Sequence, residues 1–184
     1  MNIFYIETVF LEGENTYRPP VFIEMDCRKV RKSIRFSQLV TQEDLRSFKV
    51  FDQIEYIKDE SRFPKGFADR ESQKPIAQVW FNCIAQVLIA NAETVKYFQS
   101  INGIGTEKID GGEYSIIIPV FKPVSITKLL EEKTLFSREP CAYTVKNSTK
   151  MFLNSSAAEL AGDYGLNGIA ILPVTHLIID HLKE

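Results

Sequence analysis

The chain has 184 residues, of which 45% are apolar and 25% are charged, and its formal net charge at pH 7 is −2. This composition excludes a largely disordered chain, and no apolar run reaches the roughly 18–20 residues of a membrane-spanning helix. The pI of about 5.8 argues against a general nucleic-acid-binding protein, which usually carries a strongly basic face.

The N-terminal part of the chain predicts two strands and a long loop. Residues 1–11 are rich in Ile, Phe, Tyr and Val and predict a strand, and residues 21–25 predict a second, shorter one. Thr41 has the sequence context of a helix cap. Residues 48–57 carry apolar side chains at mixed spacings, which are compatible with either a strand or a helix. Residues 58–75 are polar and predict a long loop, a feature that is often functional.

An internal repeat is the clearest pattern in the sequence. Residues 87–104 resemble residues 152–169 at a constant offset of 65. The matched positions include Leu88 with Leu153, Ala92 with Ala157 and Val95 with Leu160, and the triplet Asn-Gly-Ile recurs in both copies. Since two short segments can look alike by chance, the alternative is that the similarity reflects no duplication.

Each copy of the repeat predicts a strand, a helix and a second strand. The first strand ends at a capping residue, Asn91 or Ser156, whose side-chain oxygen can accept hydrogen bonds from the first amides of the helix. A helix of roughly ten residues follows. The helix is predicted to end at the Asn-Gly pair, whose glycine can adopt a positive φ; in the second copy this glycine is Gly168. A new strand then begins at Ile104 in the first copy and at Ile169 in the second.

The segments between and beyond the two copies complete the set of predicted elements. Residues 114–121 predict a buried strand, and residues 126–133 predict a short helix. Two more strands are predicted at 143–145 and 150–153. Residues 175–182 predict a terminal helix, with a strand extension as the alternative.

These elements predict an α+β fold in which a mixed sheet and short helices include two related strand–helix–strand units. We expect one αβ domain over residues 1–184. Within it, residues 1–75 form an N-terminal part and residues 76–174 contain the duplicated region.

The cysteines indicate an intracellular protein. Cys27, Cys83 and Cys141 are widely spaced and form no CxxC motif, which excludes a zinc ribbon or a thioredoxin motif. We therefore expect free thiols and a cytoplasmic location. The first residues contain neither a basic region nor a long apolar region, so we expect no signal peptide.

Recognisable catalytic and metal-binding motifs are absent from the sequence. The chain has two histidines, His176 and His181, and no third ligand at a known metal spacing follows from the sequence. It contains no GxxxxGK[ST] and no GxSxG motif. We therefore expect no metal, no cofactor and no enzymatic activity.

The second copy of the repeat carries a resemblance to a known family. The stretches KMFLNSSAAEL (150–160) and YGLNGIAILPV (164–174) resemble the C-terminal signature of an immunity-protein family of bacterial polymorphic toxin systems. The stretch GEYSII (112–117) resembles the tyrosine-bearing strand that precedes it in that family. The similarity covers residues 87–174 and carries over no binding residues. It implies a cytoplasmic antidote that binds a cognate toxin domain.

Three functions are compatible with the sequence. The first is an immunity protein that occludes the active site or substrate groove of a cognate protein toxin. The alternatives are a regulatory or small-ligand-binding domain, with a pocket between the two units, and an enzyme without a recognisable motif. We expect neither a nucleic acid nor a membrane as partner, and no pattern indicates an oligomeric state.

The predicted loop at 58–75 is the candidate docking site for a partner. Interfaces favour exposed aromatic and Arg side chains surrounded by a polar rim. The loop supplies such anchors and flanking acidic residues that could meet a basic toxin surface: Asp59, Glu60, Arg62, Phe63, Phe67, Asp69, Arg70 and Glu71. The alternative is a loop that folds its two phenylalanines onto the core.

Overall fold

The structure is a computed structural model that describes residues 3–8, 17–25, 48–82, 87–109, 113–120, 123–131, 138–146, 148, 150–175, 178, 179 and 182. The expectations for Thr41, Cys27, Cys83 and the two histidines lie outside these residues. Within them, Cys141 is a free cysteine.

The described chain contains strands and short helices. The strands are β1 (Ile3–Thr8), β2 (Val21–Met25), β3 (Phe48–Asp52), β4 (Val79–Asn82), β5 (Val87–Asn91), β6 (Ile104–Lys108), β7 (Tyr114–Pro119), β8 (Ala142–Thr144), β9 (Met151–Asn154) and β10 (Ile169–Pro173). The helices are α1 (Gln53–Ile57), α2 (Phe67–Ser72), α3 (Val95–Gln99), α4 (Ile126–Glu131) and α5 (Ser155–Leu160), and a 3₁₀ turn (Ala161–Asp163) follows α5.

The strands form two four-stranded sheets and one hairpin. The first sheet has the order β4-β5-β7-β6, the second has the order β8-β9-β1-β10, and β2 pairs with β3. This architecture confirms the α+β class. The expected mixed sheet is corrected, because every strand pairing within the described elements is antiparallel. The two strands of each strand–helix–strand unit do run in the same direction, but a third strand lies between them and pairs with both.

The two sheets share one topology and one register. In the first sheet Trp80 pairs with Ile89, and in the second sheet Tyr143 pairs with Phe152, in each case 63 residues later. At the opposite edge of the first sheet, Pro119 of β7 pairs with Ile104 of β6. In the second sheet, Thr8 of β1 pairs with Ile169 of β10 in the same way. Strand β1 therefore fills in the second sheet the position that β7 fills in the first. The repeat is larger than the sequence indicated, because it includes all four strands of each sheet.

Reciprocal main-chain contacts join the two units. The carbonyl of Asn102, which precedes β6, accepts a hydrogen bond from the N–H of Ala142 at 2.8 Å. The carbonyl of Asn167, which precedes β10, accepts one from the N–H of Val79 at 3.1 Å. Since Asn102 corresponds to Asn167, and Val79 to Ala142, each unit contacts the other through equivalent groups. The units are thus related by approximate two-fold symmetry.

One buried cluster lies between the two units. Side chains from equivalent positions of the two sheets belong to this cluster. They include Leu88 and Ala90 of β5, which correspond to Met151 and Leu153 of β9. Tyr97 of α3 is fully buried in the cluster. Both inner faces are apolar, so separating the two sheets would expose these faces to water at a cost in free energy.

Different segments of the chain pack on the outer faces of the two sheets. The outer face of the first sheet, with Trp80 and Ile116, packs against Tyr17, Val21 and Val50 from the segment that contains the hairpin β2–β3. The outer face of the second sheet belongs to a cluster with residues of α4 and of the C-terminal tail: Ile126, Leu129, Ile179 and Leu182. The approximate two-fold symmetry of the two sheets therefore does not extend to the segments that pack on their outer faces.

The ends of the two repeat helices confirm the predicted stop and correct both predicted caps. Gly103 and Gly168 have positive φ values of 91° and 111°. Asn91 accepts a hydrogen bond from the N–H of Thr94, but a turn separates it from α3, and the residue at the N-terminal cap of α3 is Thr94. Ser156 lies inside α5, and the cap of that helix is Asn154.

The N-terminal part agrees with the predictions except in its helices. Strands β1 and β2 lie where strands were expected. The undecided segment 48–57 contains both alternatives, since β3 passes directly into α1. The predicted loop at 58–75 contains the short helix α2.

Candidate partner-binding surface

The segment from β3 to α2 carries the candidate site and has no counterpart on the second sheet among the described residues. Its helix α1 begins at Gln53 and is capped by Asp52, whose carboxylate accepts a hydrogen bond from the N–H of Glu55 at 3.0 Å. Ile57, at the end of α1, is buried. Gly66 precedes α2 with a φ of 75°, and α2 itself has no buried residue. Helix α2 is thus held outside the core of the protein.

Four aromatic side chains form a continuous row along this segment, which we call the aromatic row: Phe51, Tyr56, Phe63 and Phe67. Their successive ring centroids are separated by 5.7, 5.9 and 5.7 Å. Phe63 and Phe67 are stacked, with an angle of 6° between their planes. Phe51 is 36% exposed, and the other three are half-buried. None of the four belongs to the core clusters, so the two phenylalanines of the predicted site pack on each other instead.

Two arginines lie over rings of the row. The guanidinium carbon of Arg62 is 5.8 Å from the centroid of Tyr56, and its Nη1 donates a hydrogen bond to the tyrosine hydroxyl at 3.3 Å. The guanidinium carbon of Arg70 is 5.9 Å from the centroid of Phe67. At such distances the positive charge is attracted to the electron-rich face of the ring. The structure thus brings together the four anchor residues that the sequence singled out.

Ion pairs within the segment engage two of the four predicted acidic residues. Arg62 pairs with Asp59 at 3.3 Å, and Lys74 pairs with Glu71 at 2.7 Å. Hydrogen bonds from the hydroxyl and the N–H of Ser61 hold the pKa of Asp59 below its ordinary value. Glu60 and Asp69 are exposed and form no ion pair with the described residues.

A third pair, Lys58 with Glu55 at 2.5 Å, lies on the same segment. The hydrogen bond to Glu55 raises the pKa of Lys58 above its ordinary value. All three pairs join residues three positions apart. The pairs Lys58–Glu55 and Arg62–Asp59 are exposed and contribute little to stability, whereas the side chains of Lys74 and Glu71 are largely buried. All three pairs show which charges of the segment already have a partner.

Two members of the row were not among the predicted site residues. Phe51 lies in β3 and Tyr56 lies in α1, within the segment whose secondary structure the sequence left undecided. The signal that could have identified them is the series of aromatic residues at short intervals, from Phe51 to Phe67, in an otherwise charged stretch.

Neither a metal site nor a membrane span occurs in the described part of the chain. No group of three or more His, Cys, Asp or Glu side chains among the described residues is placed to hold a metal ion. Within those residues, every helix is too short or too polar to cross a membrane.

No protein-family model, curated protein or solved structure matches this chain. The resemblance to an immunity-protein family therefore rests on residues 87–174 alone and stays a prediction.

Proposed function

We propose that this protein is an immunity protein, which binds a cognate bacterial toxin domain in the cytoplasm and neutralises it by covering its active site or substrate groove. The observation that carries the proposal is the aromatic row with its two arginines, displayed on a segment that the symmetric core does not require. The proposal includes no catalysis and no cofactor. Its partner is a protein and neither a nucleic acid nor a membrane.

The residue types of the row are those that dominate binding energies in protein interfaces. Aromatic and Arg side chains are enriched among the residues whose truncation costs the most affinity. Half-buried rings such as Phe63 and Phe67 still offer apolar surface to a partner. Because the rings are already stacked on each other, ordering them on binding costs little conformational entropy.

The charges around the row fit the rim of such an interface. Polar and charged residues commonly surround the apolar centre of a binding patch. Here the residues of the rim are Asp59, Glu60, Asp69 and Glu71, together with the arginines. With charges of both signs, this rim can discriminate between related toxins by repelling surfaces whose charges do not match.

Co-expression with the neighbouring gene product tests this function. The C-terminal domain of the protein encoded next to this chain is produced in a bacterial host, alone and together with this chain. We expect growth arrest in the first case and normal growth in the second, and a complex of the two proteins on size-exclusion chromatography. A neighbouring product that arrests growth equally in both cases, or a pair that forms no complex, would contradict the proposed function.

A further inference from the structure

Arg70 differs from Lys58, Arg62 and Lys74 in having no carboxylate partner among the described residues. Lys58, Arg62 and Lys74 each pair with an acidic residue three positions earlier. Arg70 is exposed on α2 and forms no ion pair with any described residue, although its guanidinium lies over the ring of Phe67. The guanidinium thus lies at an exposed position beside the ring of Phe67, and no described carboxylate forms an ion pair with it.

We propose that Arg70 binds a carboxylate of the partner, so that the cognate toxin domain presents an Asp or Glu beside an apolar patch at this point. This inference rests on the proposed function and specifies the chemistry of its partner. A guanidinium can donate two parallel hydrogen bonds to one carboxylate, which gives both affinity and orientation. The adjacent stacked rings of Phe63 and Phe67 would receive the apolar surface around that carboxylate.

The charge of Arg70 itself favours an acidic partner group over a basic one directly beside the ring of Phe67. Two of the acidic residues that could attract a basic surface, Asp59 and Glu71, are already paired with cations of the segment. A basic group over Phe67 would meet the uncompensated charge of Arg70 and would be repelled. Glu60 and Asp69 stay available for the rim, where exposed charges affect the association rate more than the affinity.

Binding measurements on single variants test this assignment. The probe is the toxin domain encoded by the neighbouring gene, titrated calorimetrically into the wild-type protein and into R70A, R70K and K65A. We expect R70A to weaken binding at least about tenfold, and R70K to weaken it by a similar factor because an ammonium group lacks the planar two-donor edge. Lys65 is a matched control, since it is an exposed cation of the same segment without a ring contact, and K65A should change the affinity less than about threefold.

A charge exchange distinguishes a direct contact from an indirect effect. R70E should abolish binding, and replacement of the contacting carboxylate of the toxin domain by Arg should restore it. If the wild-type protein binds and R70A binds within about threefold of it, the assignment of Arg70 is wrong while the proposed function stands. If the wild-type protein does not bind the domain at all, both fail. Unchanged thermal unfolding of R70A and R70K ensures that a loss of affinity does not reflect misfolding.

Discussion

Asn91 and Asn154 occupy the same position in the two sheets, each as the last residue of a strand that leads into a helix. Their side-chain oxygens accept hydrogen bonds from the N–H groups three residues later, at 2.9 Å for Asn91 and 3.0 Å for Asn154. Asn154 has additional bonds, because it also accepts from the N–H of Cys141 at 3.0 Å and donates to the carbonyl of Glu139 at 2.8 Å. The second copy therefore uses one fully buried amide to bind three backbone groups, those of Glu139, Cys141 and Ala157.

Replacing Asn154 by alanine should destabilise the protein more than replacing Asn91. Asn154→Ala leaves buried main-chain groups without partners, and we expect a loss of about 3 kcal/mol in the free energy of unfolding. Asn91→Ala removes one hydrogen bond to the turn before α3 at a half-buried site, and the expected loss is about 1 kcal/mol. Chemical denaturation of both variants measures the difference, and equal losses would contradict the additional role of Asn154.

Gly168 should tolerate no side chain. Its φ of 111° is unfavourable for other residues, and a Cβ atom there would lie 2.1 Å from the carbonyl oxygen of Val79 and 2.9 Å from the Cβ of Ala77. We expect Gly168→Ala to cost about 3 kcal/mol or more. Gly162 is the control, because a Cβ atom there meets nothing within 4 Å. Gly162→Ala should change the stability by less than about 1 kcal/mol. Similar melting temperatures for the two variants would contradict the prediction.

Tyr97 should make the stability depend on pH under alkaline conditions. Its buried hydroxyl donates to the carbonyl of Ala157 at 2.8 Å, and burial raises its pKa well above the ordinary 10.0. Above a pH of about 10 the unfolded chain releases this proton while the folded protein retains it, so the free energy of unfolding falls as the pH rises. Tyr97→Phe should cost about 1–2 kcal/mol at pH 7, and this difference should shrink above pH 10.

Denaturation at pH 7 and at pH 11 compares the wild-type protein with Tyr97→Phe. Tyr164 provides the control, since its ring lies 5.6 Å from that of Tyr97 while its half-buried hydroxyl forms no hydrogen bond within the described residues. Tyr164→Phe should change the stability by less than about 0.5 kcal/mol at pH 7. A difference between wild type and Tyr97→Phe that is the same at both pH values would show that Tyr97 does not couple folding to proton release.

Truncation of the exposed end of the aromatic row should weaken partner binding without unfolding the protein. Phe67→Ala combined with Arg70→Ala removes one ring and one guanidinium from a helix that has no buried residue. We expect a loss of more than about 2 kcal/mol in binding free energy and an unchanged melting temperature. The control is Leu172→Ala, which removes a 38% exposed apolar side chain from the second sheet. A double variant that protects cells as well as the wild type, at limiting expression, would exclude this docking site.

The sequence predicted the repeat correctly after the helices but not before them. Asn-Gly-Ile recurs with an offset of 65, and the structure confirms the positive φ values there. In β4 and β5 the structure matches residues to those in β8 and β9 at an offset of 63. The offset differs because the second copy has two more residues between the asparagine that ends its strand and the glycine that follows its helix. An ungapped comparison therefore aligned Asn91 with Ser156 instead of Asn154. The equivalence of β1 and β7 was not detectable in this way, since β1 precedes the other strands of its unit in the chain.

The candidate site was predictable in composition but not in geometry. Phe63, Phe67, Arg62 and Arg70 follow from the residue types of the segment at 58–75. Their stacking and cation–π contacts depend on the turn that Gly66 allows and on the short helix after it, neither of which is encoded in a hydrophobic period. Ion pairing also depends on side-chain positions, so the sequence could not show which charges were already partnered.

Strand β1 comes from the N-terminus of the chain, so the second sheet pairs strands that are far apart in sequence, whereas the first sheet does not. The first sheet closes within residues 79–119, so its pairings join parts of the chain that are close in sequence. The centre of the second sheet pairs Phe4 with Leu153 and Ile6 with Ile171. Such distant pairings require the closure of a long loop before they contribute any stability. We therefore expect the first sheet to form early in folding and to present its inner face as the surface on which the second is assembled.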